Sequence, residues 1–117
     1  MTSHDLARAC ADAARAKKAK DIVIMDLRGI SIIADYFVIC TGANVHQLQA
    51  ISEHIDEKLA EQKISPLRIG GLKDARWILM DYGSVVVHIF QEEERLYYNL
   101  ERLWGDAKFT YYREQQG

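Results

Sequence analysis

The apolar pattern predicts a small α/β domain, a mixed β-sheet packed with helices. Three observations carry this. Residues 3–18, 45–62 and 92–107 repeat their apolar positions at helical spacing. Residues 21–27 are β-branched and mostly apolar, and 36–41 is apolar along nearly its whole length, as a central strand buried on both faces is. The two kinds of segment alternate in the order α-β-β-α-β-β-β-α, which lays helices on a sheet. The 117 residues have room for one core, so 1–117 reads as one domain. A hydrophobic content of 49% excludes a disordered chain, and one proline with seven glycines excludes a linker or fibrous repeat. The longest apolar run falls far short of the ~20 residues a membrane helix needs. No charged, apolar and small-residue leader opens the chain, so a cytoplasmic protein is expected.

The first helix, 3–18, is expected to be capped by Thr2, with Asp5 in a capping-box position. Leu6, Ala9, Cys10, Ala13 and Ala14 make its narrow apolar stripe, and basic residues gather at its end, where the helix dipole favours them. Strands 21–27 and 36–41 follow, joined through Arg28-Gly29. Asn44 caps a second helix, 45–62, that buries Leu48, Ile51, Ser52, Ile55 and Leu59. Pro66 leads into a short strand, 67–69, and this strand-helix-strand unit is expected to make parallel neighbours. Strands 76–82 and 85–91 form a hairpin around Gly83-Ser84. Three glutamates open a third helix, 92–107, with Leu96, Leu100, Leu103 and Trp104 inward. The tail, 109–117, reads as polar and partly loose.

Hairpin register sorts the side chains into two faces. Ile78, Met80 and Tyr82 share one with Val85, Val87 and Ile89. Trp77, Leu79 and Asp81 share the other with Val86, His88 and Phe90. The second face mixes large aromatic anchors of the kind that dominate interfaces with an acid suited to an Arg or Lys of a partner. Tyr98 is expected to join it from the third helix. The alternative is a second packing surface lying under a helix.

Little else carries chemistry. Net charge is −2, split into segments of +3 (1–20), −5 (21–61), +2 (62–91) and −2 (92–117). That is no basic footprint for nucleic acid, so no DNA partner is expected. Thr41-Gly42-Ala43-Asn44 lies between a strand and a helix, as an anion-binding turn would, yet lacks the companion glycines of a phosphate loop. His46 and His54 are eight apart, and Cys10 and Cys40 sit in apolar segments as reduced core thiols. No catalytic, cofactor or metal site is expected.

Trp77-Ile78-Leu79-Met80-Asp81-Tyr82-Gly83, Val85-Val86-Val87-His88-Ile89-Phe90, Glu94-Arg95, Tyr97-Tyr98, Leu100-Glu101 and Leu103-Trp104 resemble the pattern of the ribosomal silencing factor, or Iojap-like, family. Asp35-Tyr36-Phe37-Val38-Ile39-Cys40-Thr41-Gly42 resembles its other diagnostic stretch. The family usually has Glu-Gly where this chain has Gly70-Gly71, and an acid after the hairpin glycine where this chain has Ser84. The resemblance implies a nucleotidyltransferase-like fold without that activity, and a cytosolic bacterial repressor, homodimeric when free. It implies binding to the large ribosomal subunit through ribosomal protein fourteen, blocking subunit joining when nutrients run short. Trp77, Leu79, Asp81, His88, Phe90 and Tyr98 are the expected partner-binding residues. A large-subunit assembly factor at the same site and a nucleotide-binding enzyme are the other readings. The lack of an Asp-x-Asp pair after Gly42 counts against the enzyme.

Overall fold

The computed structural model describes residues 1–112. Helix α1 (Ser3–Ala16) starts at a complete capping box: the Asp5 amide donates to Thr2 Oγ1 at 3.0 Å, and the Thr2 amide donates back to Asp5 Oδ2 at 3.4 Å. Then come β1 (Lys20–Asp26), β2 (Tyr36–Gly42) and α2 (Val45–Ala60), the last capped by Asn44. β3 (Arg68–Gly70), β4 (Trp77–Asp81) and β5 (Val85–Gln91) lead to α3 (Glu92–Tyr98), α4 (Leu100–Leu103) and β6 (Lys108–Tyr112). The strands form one mixed sheet, ordered β3-β4-β5-β2-β1-β6. Among the described residues only β2 and β5 pair in parallel.

Three expectations need correction. The crossover from β2 through α2 does not make neighbours. β3 bonds antiparallel to β4, and β4 and β5 stand between β3 and β2. Each hairpin closes more locally than the crossover, so β5 takes the place beside β2. The tail expected at 109–117 is ordered over 109–112, which with Lys108 form β6, antiparallel to β1, with Phe109 packed on the core and Tyr111 exposed; residues 113–117 lie outside the described part. The third helix is not continuous. Asn99 takes a left-handed conformation (φ 44°), ends α3 and caps α4 with its side chain. The helical phase is reset there, so Leu96 does not share the inward side of Leu100 and is 72% exposed; Leu103, at the end of the one-turn α4, is 70% exposed instead of inward. Leu100 and Trp104 do pack on the core.

Arg95 explains the side that α3 turns inward. Its guanidinium donates to the Asp21 carbonyl at 2.6 Å and to Thr41 Oγ1 at 2.8 Å, and pairs with Glu101 at 3.4 Å. One nearly buried side chain thus ties α3 and α4 to β1 and β2.

The sheet separates two cores. On one face α1 and α2 cover Ile22, Val38, Cys40, Ile78, Met80 and Ile89. Close approach there depends on Ala7, Cys10, Ala11 and Ala14, all with no exposed surface. The other face holds Val23, Met25, Phe37, Ile39, Val86 and Phe90. Its cover is smaller: Leu100, Trp104, Ala107 and the loop residues Leu27 and Ala34.

Candidate functional site

That thinner cover leaves the sheet uneven. The β4–β5 register pairs Trp77 with Phe90, Leu79 with His88 and Asp81 with Val86, the arrangement expected for a Gly83-Ser84 turn. All six side chains share the face opposite α1 and α2. The β5 row is submerged, with His88 and Phe90 at 4% and 1% exposure. These two expected contact residues therefore lie beneath the surface, because β5 is central and β4 lies next to the edge. Trp77, Leu79 and Asp81 on β4 are half-buried.

Trp77 is held on three sides. It stacks on Phe90 with ring centroids 5.0 Å apart, meets Tyr98 at 4.6 Å, and donates its indole N–H to His88 Nδ1 at 3.1 Å. Tyr98 thus joins the hairpin face as expected, and Tyr97 stands edge-on to it at 5.0 Å. Leu96, Tyr97, Tyr98 and Leu103 extend the exposed apolar surface along α3 and α4. Leu96, Tyr97 and Leu103 were not among the expected contact residues. The available signal was Asn99, a residue that tolerates left-handed backbone and caps helices, standing inside an otherwise helical run.

Asp81 already has partners for both oxygens. Oδ1 accepts the Gly83 amide at 2.8 Å, and Oδ2 pairs with Arg68 Nε at 3.2 Å. The Arg68 side chain is 77% exposed, so the ion pair is weak and Arg68 can swing away cheaply. Gly70 is the β3 partner of Leu79, and a Cβ added there meets nothing within 4 Å. The flank of Leu79 is therefore bare where a side chain could have covered it.

Among the described residues, His88 is the one buried titratable group on this face. Burial pushes its pKa down from 6.5 to about 4, so the ring is neutral at pH 7. Burial raises both Cys10 and Cys40 to about 12, which makes them inert free thiols.

The turn at Gly42 is occupied by its own chain. A Cβ on Gly42 would stand 2.6 Å from Leu48 Cδ1, so glycine lets α2 pack close. The Ala43 amide donates to Gln47 Oε1 at 2.6 Å, and the Gln47 amide to Asn44 Oδ1 at 2.9 Å. These are amides that a phosphate at the turn would use. Among the described residues no three His, Cys, Asp or Glu side chains gather as metal ligands. A cleft of about 560 Å³ lies between β1, α3, α4 and β6, but its Arg95 is already bonded to Asp21, Thr41 and Glu101.

The family model described as "Ribosomal silencing factor during starvation" matches residues 1–116. The chain belongs to the ribosomal silencing factor family. A relative from Halalkalibacterium halodurans, named ribosomal silencing factor RsfS, is 46% identical over 107 residues, covering 92% of each chain. A crystal structure of a protein from Chromobacterium violaceum superposes with a TM-score of 0.87 at 26% identity, over 99% of this chain and 98% of that one. A mouse protein named "Mitochondrial assembly of ribosomal large subunit protein 1" is 30% identical over 81% of this chain, a match spanning 43% of its own length. The silencing factor family is named for regulation of the ribosome, not for a reaction.

Proposed function

We propose that this chain represses translation by docking the β4 side of its hairpin face on the large ribosomal subunit, at ribosomal protein fourteen, and so keeping the small subunit from joining. The observation that carries this is the half-open row Trp77, Leu79 and Asp81, backed by a buried aromatic layer and continued by Tyr98, Tyr97 and Leu96. A contiguous apolar surface of this kind on a folded chain marks an interface. Trp77 and Tyr98 supply rigid anchors. Asp81 exchanges its exposed Arg68 partner for a cation of a basic ribosomal protein. Function needs no cofactor or metal, and the protein is cytoplasmic and homodimeric when free.

Sedimentation of the protein with isolated large subunits and with joined ribosomes tests the reading. Binding to the free subunit alone is expected, and equal binding to joined ribosomes refutes the steric mechanism. The name of the mouse relative favours a second reading, assembly of the large subunit through the same surface. Accumulation of immature large subunits in cells lacking the protein, with subunit joining unchanged, would favour assembly.

A further inference from the structure

His88 has no exposed route to a partner, yet it is an odd residue to bury. It lies at 4% exposure among aromatic rings, with the centroid of Phe37 4.5 Å away in an edge-on arrangement and that of the stacked Phe90 at 6.1 Å. Its Nε2 is buried and has no hydrogen-bond partner among the described residues. A phenylalanine or leucine would fill such a place without the desolvation cost of a polar ring. What the imidazole supplies that they cannot is one directed bond, at 3.1 Å, from Trp77 Nε1 to Nδ1. An indole nitrogen can only donate, so Nδ1 carries no proton and the ring's single proton sits on Nε2.

The support beneath this bond is rigid. His88 belongs to β5, paired to β4 on one side and β2 on the other, with Ile39 as its β2 partner. Trp77 belongs to β4, one strand from the sheet edge, and is half-exposed. Stacking on Phe90 and the tilted ring of Tyr98 limit the movement of the indole, but packed rings still slide and flip. The hydrogen bond selects which edge of the indole points into the protein and which meets the partner.

We propose that His88 is the positioning residue of the docking face: its unprotonated Nδ1 fixes the Trp77 indole in the orientation the ribosomal partner meets. This rests on the reading of Trp77 as an anchor. An anchor ordered before contact loses less side-chain freedom on binding, so the free protein is already shaped for the complex.

The full-length protein tests this by two readouts. The first is the indole N–H resonance of Trp77 in the free protein, recognised as the one that Trp77→Phe removes. In the wild type it exchanges slowly with solvent. His88→Phe makes it fast, and His88→Gln, whose amide oxygen can accept, restores much of the protection. The second is affinity for isolated large subunits. His88→Phe weakens it about five- to ten-fold, the effect of freeing one large side chain. His88→Gln stays within about two-fold of wild type, and His88→Phe added to Trp77→Ala brings no further loss, because His88 acts only through Trp77. A fast-exchanging Trp77 indole in the wild type overturns the proposal, and this holds even if His88→Phe fails to fold. Unchanged affinity of a folded His88→Phe, or an equal loss in the Trp77→Ala background, also overturns it. Trp77→Ala that binds like wild type refutes the anchor reading and the positioning role with it. Trp77→Ala that binds weakly beside an unchanged His88→Phe refutes the positioning role alone.

Discussion

Gly70 and Gly71 are adjacent and chemically identical, yet they are expected to respond to alanine in opposite ways. Gly71 has φ +83°, and a Cβ there would lie 2.0 Å from the Trp77 carbonyl oxygen. Left-handed backbone costs a residue with a Cβ about 1–2 kcal/mol. The clash is with main chain at the start of β4, so it can be relieved only by moving that strand. Forced backbone shifts of this sort cost a further 1–3 kcal/mol or so. Gly71→Ala should therefore lose about 2–5 kcal/mol, or roughly 8–20 °C in melting temperature for a domain of this size. Because the displaced group is Trp77 itself, the variant should also bind large subunits poorly below its melting point. Gly70 has nothing within 4 Å of its added Cβ and no positive φ. Gly70→Ala should be neutral or stabilising by up to about 1 kcal/mol, through a less flexible unfolded chain. Thermal and urea melts of the two variants check both signs. A Gly71→Ala protein within about 0.5 kcal/mol of wild type would refute the close approach of this loop to Trp77.

Trp77→Ala should weaken binding to large subunits by about 2 kcal/mol or more, the scale of an interface anchor. Its stability loss should be smaller than the ~3–5 kcal/mol of a fully buried tryptophan; a loss at the top of that range with unchanged affinity when folded would move the contact surface elsewhere. Stability should also fall in mild acid through His88. The unfolded imidazole takes a proton near pH 6.5 while the folded one refuses it until about pH 4. This contribution is complete above pH 6.5, shrinks as pH falls toward 4, and amounts to about 3 kcal/mol at full extent. Urea midpoints at pH 7 and 4.5 should differ less in His88→Phe than in wild type. Arg95→Leu leaves the Asp21 carbonyl and Thr41 without their donor and Glu101 without its cation; a loss of about 2–4 kcal/mol is expected in denaturant melts. Adding a nucleoside triphosphate with magnesium should leave the melting temperature unchanged, and a rise of several degrees would favour the enzyme reading.

Local chemistry decided much of this protein in advance. Thr2 and Asp5 close a capping box, Asn44 caps α2, and strict alternation along 76–91 sorts Trp77, Leu79 and Asp81 from Ile78 and Met80. Each depends on contacts a few residues apart, which short-range patterns record. The family resemblance on the hairpin and on 35–42 was likewise legible, and the match over 1–116 agrees with it. Other features are set by competition between distant segments. Nothing in 76–91 says that β5 will be central and β4 next to the edge, yet that order submerges His88 and Phe90 and leaves Trp77 and Leu79 half-open. Residues 108–112 become β6 only because β1 has a free edge, and Arg95 turns inward only because Asp21 and Thr41 wait 74 and 54 residues away. Periodicity treats an exposed leucine and a buried one alike, so it does not distinguish Leu96 and Leu103, which are exposed, from Leu100, which packs on the core. Alternation tells which side chains share a face; how deep each lies depends on what the rest of the chain brings to cover it.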